Sequence, residues 1–179
     1  TTEPFPMEFR DSIDTALLRA EVRSVPDHIW LGDVVPATLR VSVKPFADSQ
    51  LSDGVMSAAD MWRQVDPDAS QWGPFLDAVK ALYGRQSMPP ARIITVQDGP
   101  TGSERWYAYD IEATIAPDRV GEIDFSDISV FMHYPVQLQR SRGSFFDPLP
   151  SLKVARRKPV TAVPTALTAQ VVEPPTAGR

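Results

Sequence analysis

The chain contains no cysteine, which excludes disulfides, thiolate metal sites and a cysteine nucleophile together. That absence leaves the compartment open. Histidine is nearly as scarce: His28 and His133 are the two in the chain. They form neither an HxH nor an HExxH spacing, so zinc has no recognisable ligand set, and an isolated histidine is more often structural or exposed than catalytic. No apolar run reaches the roughly 18 residues of a membrane span, and no basic start followed by an apolar centre marks a signal peptide. The chain opens TTEPFP, without an initiator methionine, and the expectation is a piece excised from a longer protein. On that expectation, missing targeting segments carry no argument for a cytoplasmic home.

What is present describes a folded domain. At 179 residues the chain is close to the usual size of one domain and can bury about 70% of its unfolded surface. The reading is one domain over 1–179, with an insertion at 53–86 and a polar, proline-bearing tail or linker at 173–179. Proline is abundant, 18 residues against an average near 5% of a chain. Because proline donates nothing to a sheet ladder, a β-rich chain with this much of it should have short strands, exposed edges and rigid connections. The net charge of −5 gives no general attraction for nucleic acid. Its distribution is uneven: 11 basic and 21 acidic residues up to Leu138, then 7 basic and 2 acidic from Gln139 onward. An acidic body therefore carries a basic C-terminal part.

The stretch from Arg105 to Pro135 organises the rest. Tyr107, Tyr109, Ile111, Ala113 and Ile115 alternate with Trp106, Ala108, Asp110, Glu112 and Thr114, the period of two of a half-buried strand. Pro117 to Gly121 breaks the run before Ile123, Phe125, Ile128, Val130 and Met132 resume an apolar pattern. Upstream, Leu18, Ala20 and Val22 alternate with Arg19, Glu21 and Arg23. Leu39, Val41 and Val43 likewise oppose Arg40, Ser42 and Lys44, so two neighbouring strands are expected, joined by a turn-like PDHIWLGD. ARIITVQD reads as a strand, DGPTGSE as a hairpin loop, and Arg105 onward as the partner. Ser141 to Pro150 reads as a loop, followed by extended pieces from Ser151 to Val160 and from Ala166 to Val172. The first dozen residues read as a linker or a first strand.

Between Asp53 and Gln86 the pattern becomes helical. Ser57 with Asp60 three residues on resembles a cap, and Ala58, Met61, Trp62 and Val65 have helical spacing. A second helix starts at Pro74, places Phe75, Val79, Leu82 and Tyr83 on one face and stops at Gly84. Trp62, Trp72 and Phe75 are expected to pack onto the β body, covering a sheet edge or end.

Little here can carry chemistry. Asp110, Glu112, Asp124 and Asp127 could hold calcium or act as an acid-base pair, but Asp110 and Glu112 occupy outward positions of an alternating strand, so a solvated sheet face is the expectation. Asp66 to Ser70, DPDAS, lacks the spacing of a calcium loop and reads as a capping turn. Lys153, Arg156, Arg157 and Lys158 suit the wet side of an edge strand better than a membrane headgroup site. Phe145 and Phe146 beside them are equally a buried plug or an exposed anchor. The sequence therefore names no catalytic, cofactor-binding or metal residue, and takes Phe145, Phe146, Arg156 and Arg157 as the partner contact.

Three pieces, IWLGDVVPATLRVSV, RWYAYDIEATIAPDRVGEIDFSDISV and SFFDPLPSLKVARRKPVTAVPTALTAQVVEPP, together resemble, in the same order, the BatD or oxygen-tolerance family of bacterial cell-envelope proteins. The resemblance runs through Gly32-Asp33, through Tyr109, Pro117 and Gly121, and through Phe145, Phe146, Arg156 and Arg157, and covers somewhat more than half of the chain. It implies an all-β, immunoglobulin-like β-sandwich with a helical insertion, in a membrane-anchored protein facing the periplasm. It also implies no catalytic residues, and protein partners such as those with von Willebrand factor A domains in a stress or oxygen-tolerance complex. The insertion at 53–86 departs from the family's common core. An alternative is a carbohydrate- or ligand-binding β-sandwich module, with Trp30, Trp62, Trp72 and Trp106 as stacking surfaces for a glycan. A hydrolase on the acidic strand face has no nameable nucleophile.

Overall fold

The computed structural model describes residues 12–98, 100, 102–143, 145–146, 151–165 and 168–175. The expected linker or first strand at the start, most of the 141–150 loop's second half, parts of the 98–104 hairpin loop and the last residues of the tail lie outside them. Strand accounts for 50% and helix for 11% of the described residues, so the fold is all-β. The strands are β1 (Leu18–Arg23), β2 (His28–Trp30), β3 (Val35–Val43), β4 (Ala91–Asp98), β5 (Gly102–Ile115), β6 (Gly121–Asp124), β7 (Val130–Ser141), β8 (Ser151–Ala162) and β9 (Thr168–Val172). Between β3 and β4 lie helix α1 (Ala58–Trp62), a 3₁₀ turn (Gly73–Phe75) and helix α2 (Leu76–Gly84).

The largest sheet has the order β1-β3-β5-β4, antiparallel throughout. The two alternating strands read in the first third of the sequence are neighbours in it, with Ala20 opposite Val41. β5 is the long central strand, set against β3 with Tyr109 opposite Val41 and against β4 with Tyr107 opposite Ile93. One face of this sheet turns Leu18, Leu39, Val41, Tyr109 and Ile111 into an apolar cluster that also takes Val130, Met132, Tyr134, Val160 and Ala162 from the β7–β8 ribbon. Each buried Leu, Ile, Val or Met side chain among them contributes about 1.5–3 kcal/mol through burial.

A small third sheet, β2-β9-β6, holds Ile29, Ala169 and Val171 buried. Here the sequence reading needs correction, because PDHIWLGD is not all turn. His28–Trp30 forms a strand parallel to Gln170–Val172. A three-residue strand has no period to detect, and its partner lies at the far end of the chain. The turn proper is Trp30 to Asp33, closed by Asp33 N donating to Trp30 O at 3.0 Å. Gly32 there takes φ +95°, which a Cβ disfavours and a type II turn requires.

The helices fill the remaining side of the core. Ser57 caps α1, its Oγ accepting from Asp60 N at 3.2 Å. α1 ends at Trp62, however, and Val65 forms a bridge to Met132 of β7 rather than a further helical turn. Pro74 lies in the 3₁₀ turn, and Gly84 is the last residue of α2. The left-handed conformation that ends this region falls on Gln86, with φ 53°. Met61, Trp62, Trp72, Phe75 and Val79 are all in the main cluster. Tyr107 and Tyr109 tie the insertion to β5, donating their hydroxyls to Met56 O and Ala58 O, and the Trp62 ring lies 4.9 Å from that of Tyr109. Trp62→Ala is expected to cost about 3–5 kcal/mol in urea unfolding, whereas Tyr109→Phe, which keeps the ring, should cost about 1 kcal/mol.

Candidate functional site

The basic residues and the phenylalanine pair singled out in the sequence belong to the β7–β8 ribbon and its connecting loop. β7 is held on both edges. On one side it pairs with β8. On the other, over its first residues and the segment before it, the insertion supplies His133 N to Gln64 O at 2.7 Å, Asp66 N to Phe131 O at 2.9 Å and a reciprocal Gln71–Ser129 pair at 2.7 and 2.8 Å. Ser70 Oγ accepts from Phe131 N at 2.8 Å and donates to Asp66 O at 2.6 Å. β8 ends the strand order of its sheet. Its outer edge meets the chain near Thr161, whose N donates to Ser12 O at 2.8 Å.

Lys153, Arg156, Arg157 and Lys158 are exposed along the remainder of β8, with Pro159 following them. Charged residues and proline are what discourage indiscriminate pairing at an edge. Arg157 Nε reaches Gln64 Oε1 at 3.0 Å, and Lys158 Nζ lies 3.7 Å from Asp14 Oδ2. Neither Lys153 nor Arg156 has a charged partner among the described residues. Phe145 and Phe146 are 96% and 94% exposed, edge to face with centroids 5.5 Å apart. The pair is exposed, so the buried-plug reading does not hold.

The Asp66–Ser70 turn serves the same ribbon. Asp66 Oδ1 accepts from Asp68 N at 3.1 Å and Ala69 N at 3.0 Å, while Oδ2 meets His133 Nε2 at 3.1 Å. The Ala69 N–H and then His133 hold the Asp66 carboxyl below its usual range. His28 lies exposed on β2, in a different sheet from His133.

The acidic set does not converge. Asp110, expected on a solvated face, is 9% exposed. Arg40 binds it in a fork, Nε to Oδ1 at 2.8 Å and Nη2 to Oδ2 at 3.0 Å, with Arg92 Nη2 at 3.5 Å from the opposite strand. The register sets Arg40 and Arg92 on either side of it, and their long stems remove it from water. Its hydrogen bonds from Arg40 depress its pKa and raise that of Arg40. Glu112 and Asp127 are exposed, and Asp124 accepts from Ser126 N and Oγ. Among the described residues no three His, Asp or Glu side chains gather to hold a metal ion. The tryptophans are dispersed too: Trp62, Trp72 and Trp106 are buried and Trp30 is 40% exposed. Three of the four proposed stacking surfaces are therefore covered, Trp62 and Trp72 in the main cluster and Trp106 beneath Arg19.

A carboxylate whose pKa is lower folded than unfolded stabilises above its unfolded value and loses that contribution as pH falls through the folded one. Asp110 and Asp66 both behave so, from a reference of 3.8. The midpoint of urea unfolding should fall as pH drops below that value. Asp110→Asn should lose about 1–3 kcal/mol at neutral pH and show a shallower acid dependence than the parent chain.

Comparison with protein-family models, with curated proteins and with solved structures finds no match for this chain.

Proposed function

We propose that the chain is a non-enzymatic protein-interaction module, an immunoglobulin-like β-sandwich from a membrane-anchored, BatD-like protein of the bacterial cell envelope. It faces the periplasm and contributes to a stress or oxygen-tolerance complex, with partners of the von Willebrand factor A type. The observation that carries the reading is the Phe145–Phe146 pair, almost wholly exposed at the end of a ribbon whose edge strand bears Lys153, Arg156 and Arg157. Two phenylalanine rings in water are a standing loss that a partner surface recovers, about 1.5–3 kcal/mol for each ring buried. Aromatic residues with arginine nearby are the usual composition of an interface hot spot. The insertion supports the same surface by holding β7 on its second edge, so that the ribbon presents β8 and the loop from a fixed base.

The test is affinity capture from membrane and periplasmic extract, read by mass spectrometry, with the parent chain and a Phe145→Ser, Phe146→Ser, Arg156→Glu variant as baits. The parent should recover a protein with a von Willebrand-type domain and the variant should lose it. Unfolding free energies should agree within about 0.5 kcal/mol, as for surface substitutions generally. Capture that persists undiminished in the variant removes this surface, and recovery of background alone by both baits overturns the interaction reading.

A further inference from the structure

The outer face of the four-stranded sheet, remote from the phenylalanine pair, holds a depression of about 560 Å³, within the range of about 300–1,000 Å³ typical of small-molecule sites. We propose that it binds a small organic anion, a carboxylate or phosphate head carrying a short apolar body.

The register builds the shape. Ser42 stands opposite Arg19 on one side and Ala108 on the other, and Arg40 stands between Glu21 and Asp110. Two small side chains in the middle of the face leave it low. The long ones around them are drawn aside by their own partners. Arg19 lies over the Trp106 ring at 4.9 Å with its Nε donating to Thr15 O at 2.8 Å, and Arg40 is committed to Asp110. This explains why Trp106, on the outward side of β5, is only 1% exposed.

The chemistry of the lining is that of an anion site. Arg19, Arg23 and Arg40 line it against the single carboxylate of Glu21, in the part of a chain where acidic residues outnumber basic ones by 21 to 11. Arg40 and the Asp110 beneath it offset one another, so the excess positive charge comes from Arg19 and Arg23 against Glu21. Guanidinium groups held in place by other contacts meet oxyanions with little further loss of freedom. Ser42 is 7% exposed and lines the depression, and its hydroxyl makes no hydrogen bond among the described residues. The hydroxyl opens to solvent rather than being enclosed, so a bound acceptor can take the place of water on it. Ile94 and Val96 of β4 form the apolar wall, suited to the body of the ligand rather than its head.

This site is independent of the protein-docking reading and is tested on the whole chain by isothermal titration with octanoate, octyl phosphate, octanol and inorganic sulfate. Saturable binding of octanoate or octyl phosphate is expected, at least tenfold tighter than octanol, and the two anions distinguish the carboxylate head from the phosphate. Arg19→Gln with Arg23→Gln, which spares the Arg40–Asp110 pair, should weaken it tenfold or more. Ser42→Leu, which intrudes on the floor of the depression without changing charge, should weaken it tenfold or more where circular dichroism shows the fold retained. The proposal is overturned if neither anion binds, if octanol binds as well as they do, if sulfate competes without any contribution from the apolar body, or if the arginine variant binds like the parent.

Discussion

The structure depends on β5 being covered on both faces while paired on both edges. Its inner side chains, Tyr109 and Ile111, enter the apolar cluster, and its outer ones, Trp106, Ala108 and Asp110, are buried as well. A strand enclosed in this way cannot carry a lone carboxylate, since burying an unpaired charge costs several kcal/mol by order of magnitude. Arg40 and Arg92 from the flanking strands resolve that, with the fork geometry that a guanidinium offers a carboxylate. The pairing of β3, β5 and β4 and the charge pattern on their outer face are therefore one constraint expressed twice, in backbone register and in side-chain chemistry.

The insertion between β3 and β4 is part of the same economy of edges. Its aromatic and aliphatic side chains complete the core beside Tyr109, and its backbone from Gln64 to Gln71 satisfies the second edge of the β7 region. Removing it would uncover both. Asp66 concentrates the attachment: two local N–H groups donate to one carboxylate oxygen and shape the turn, and the other oxygen meets His133 Nε2. Edges closed in this manner leave β8 as the exposed strand of the ribbon, and its lysines, arginines and proline are the residues that keep such an edge soluble.

Charge is divided accordingly. The acidic excess is spread over the body, while the basic residues of the C-terminal part line β8 beside an exposed aromatic pair. A second positive region, hidden in an acidic stretch of sequence, arises on the outer sheet face because Arg19, Arg23 and Arg40 come from two strands whose register brings them together. Alternation along each strand gives the residues facing outward, but only pairing determines which outward residues meet.

The all-β class, the β1 and β3 neighbours, β4 with its partner β5, the Ser57 cap and the packing of Trp62, Trp72 and Phe75 were legible in the sequence. Each rests on a local signal: a period of two, a turn, a capping residue or an aromatic on a helical face. β2 was not legible, nor were the early end of α1, the burial of Asp110 and the full exposure of Phe145 and Phe146. A parallel pairing between His28–Trp30 and the far end of the chain leaves no local trace. Asp110 alternates as an outward residue does, and its burial comes from arginines 70 residues before it and on the next strand. The sequence by itself determined which segments alternate and hence the class of fold. Tertiary structure alone decided which outward positions stay wet, because burial is a property of what packs across a face and that is set by contacts distant in the chain.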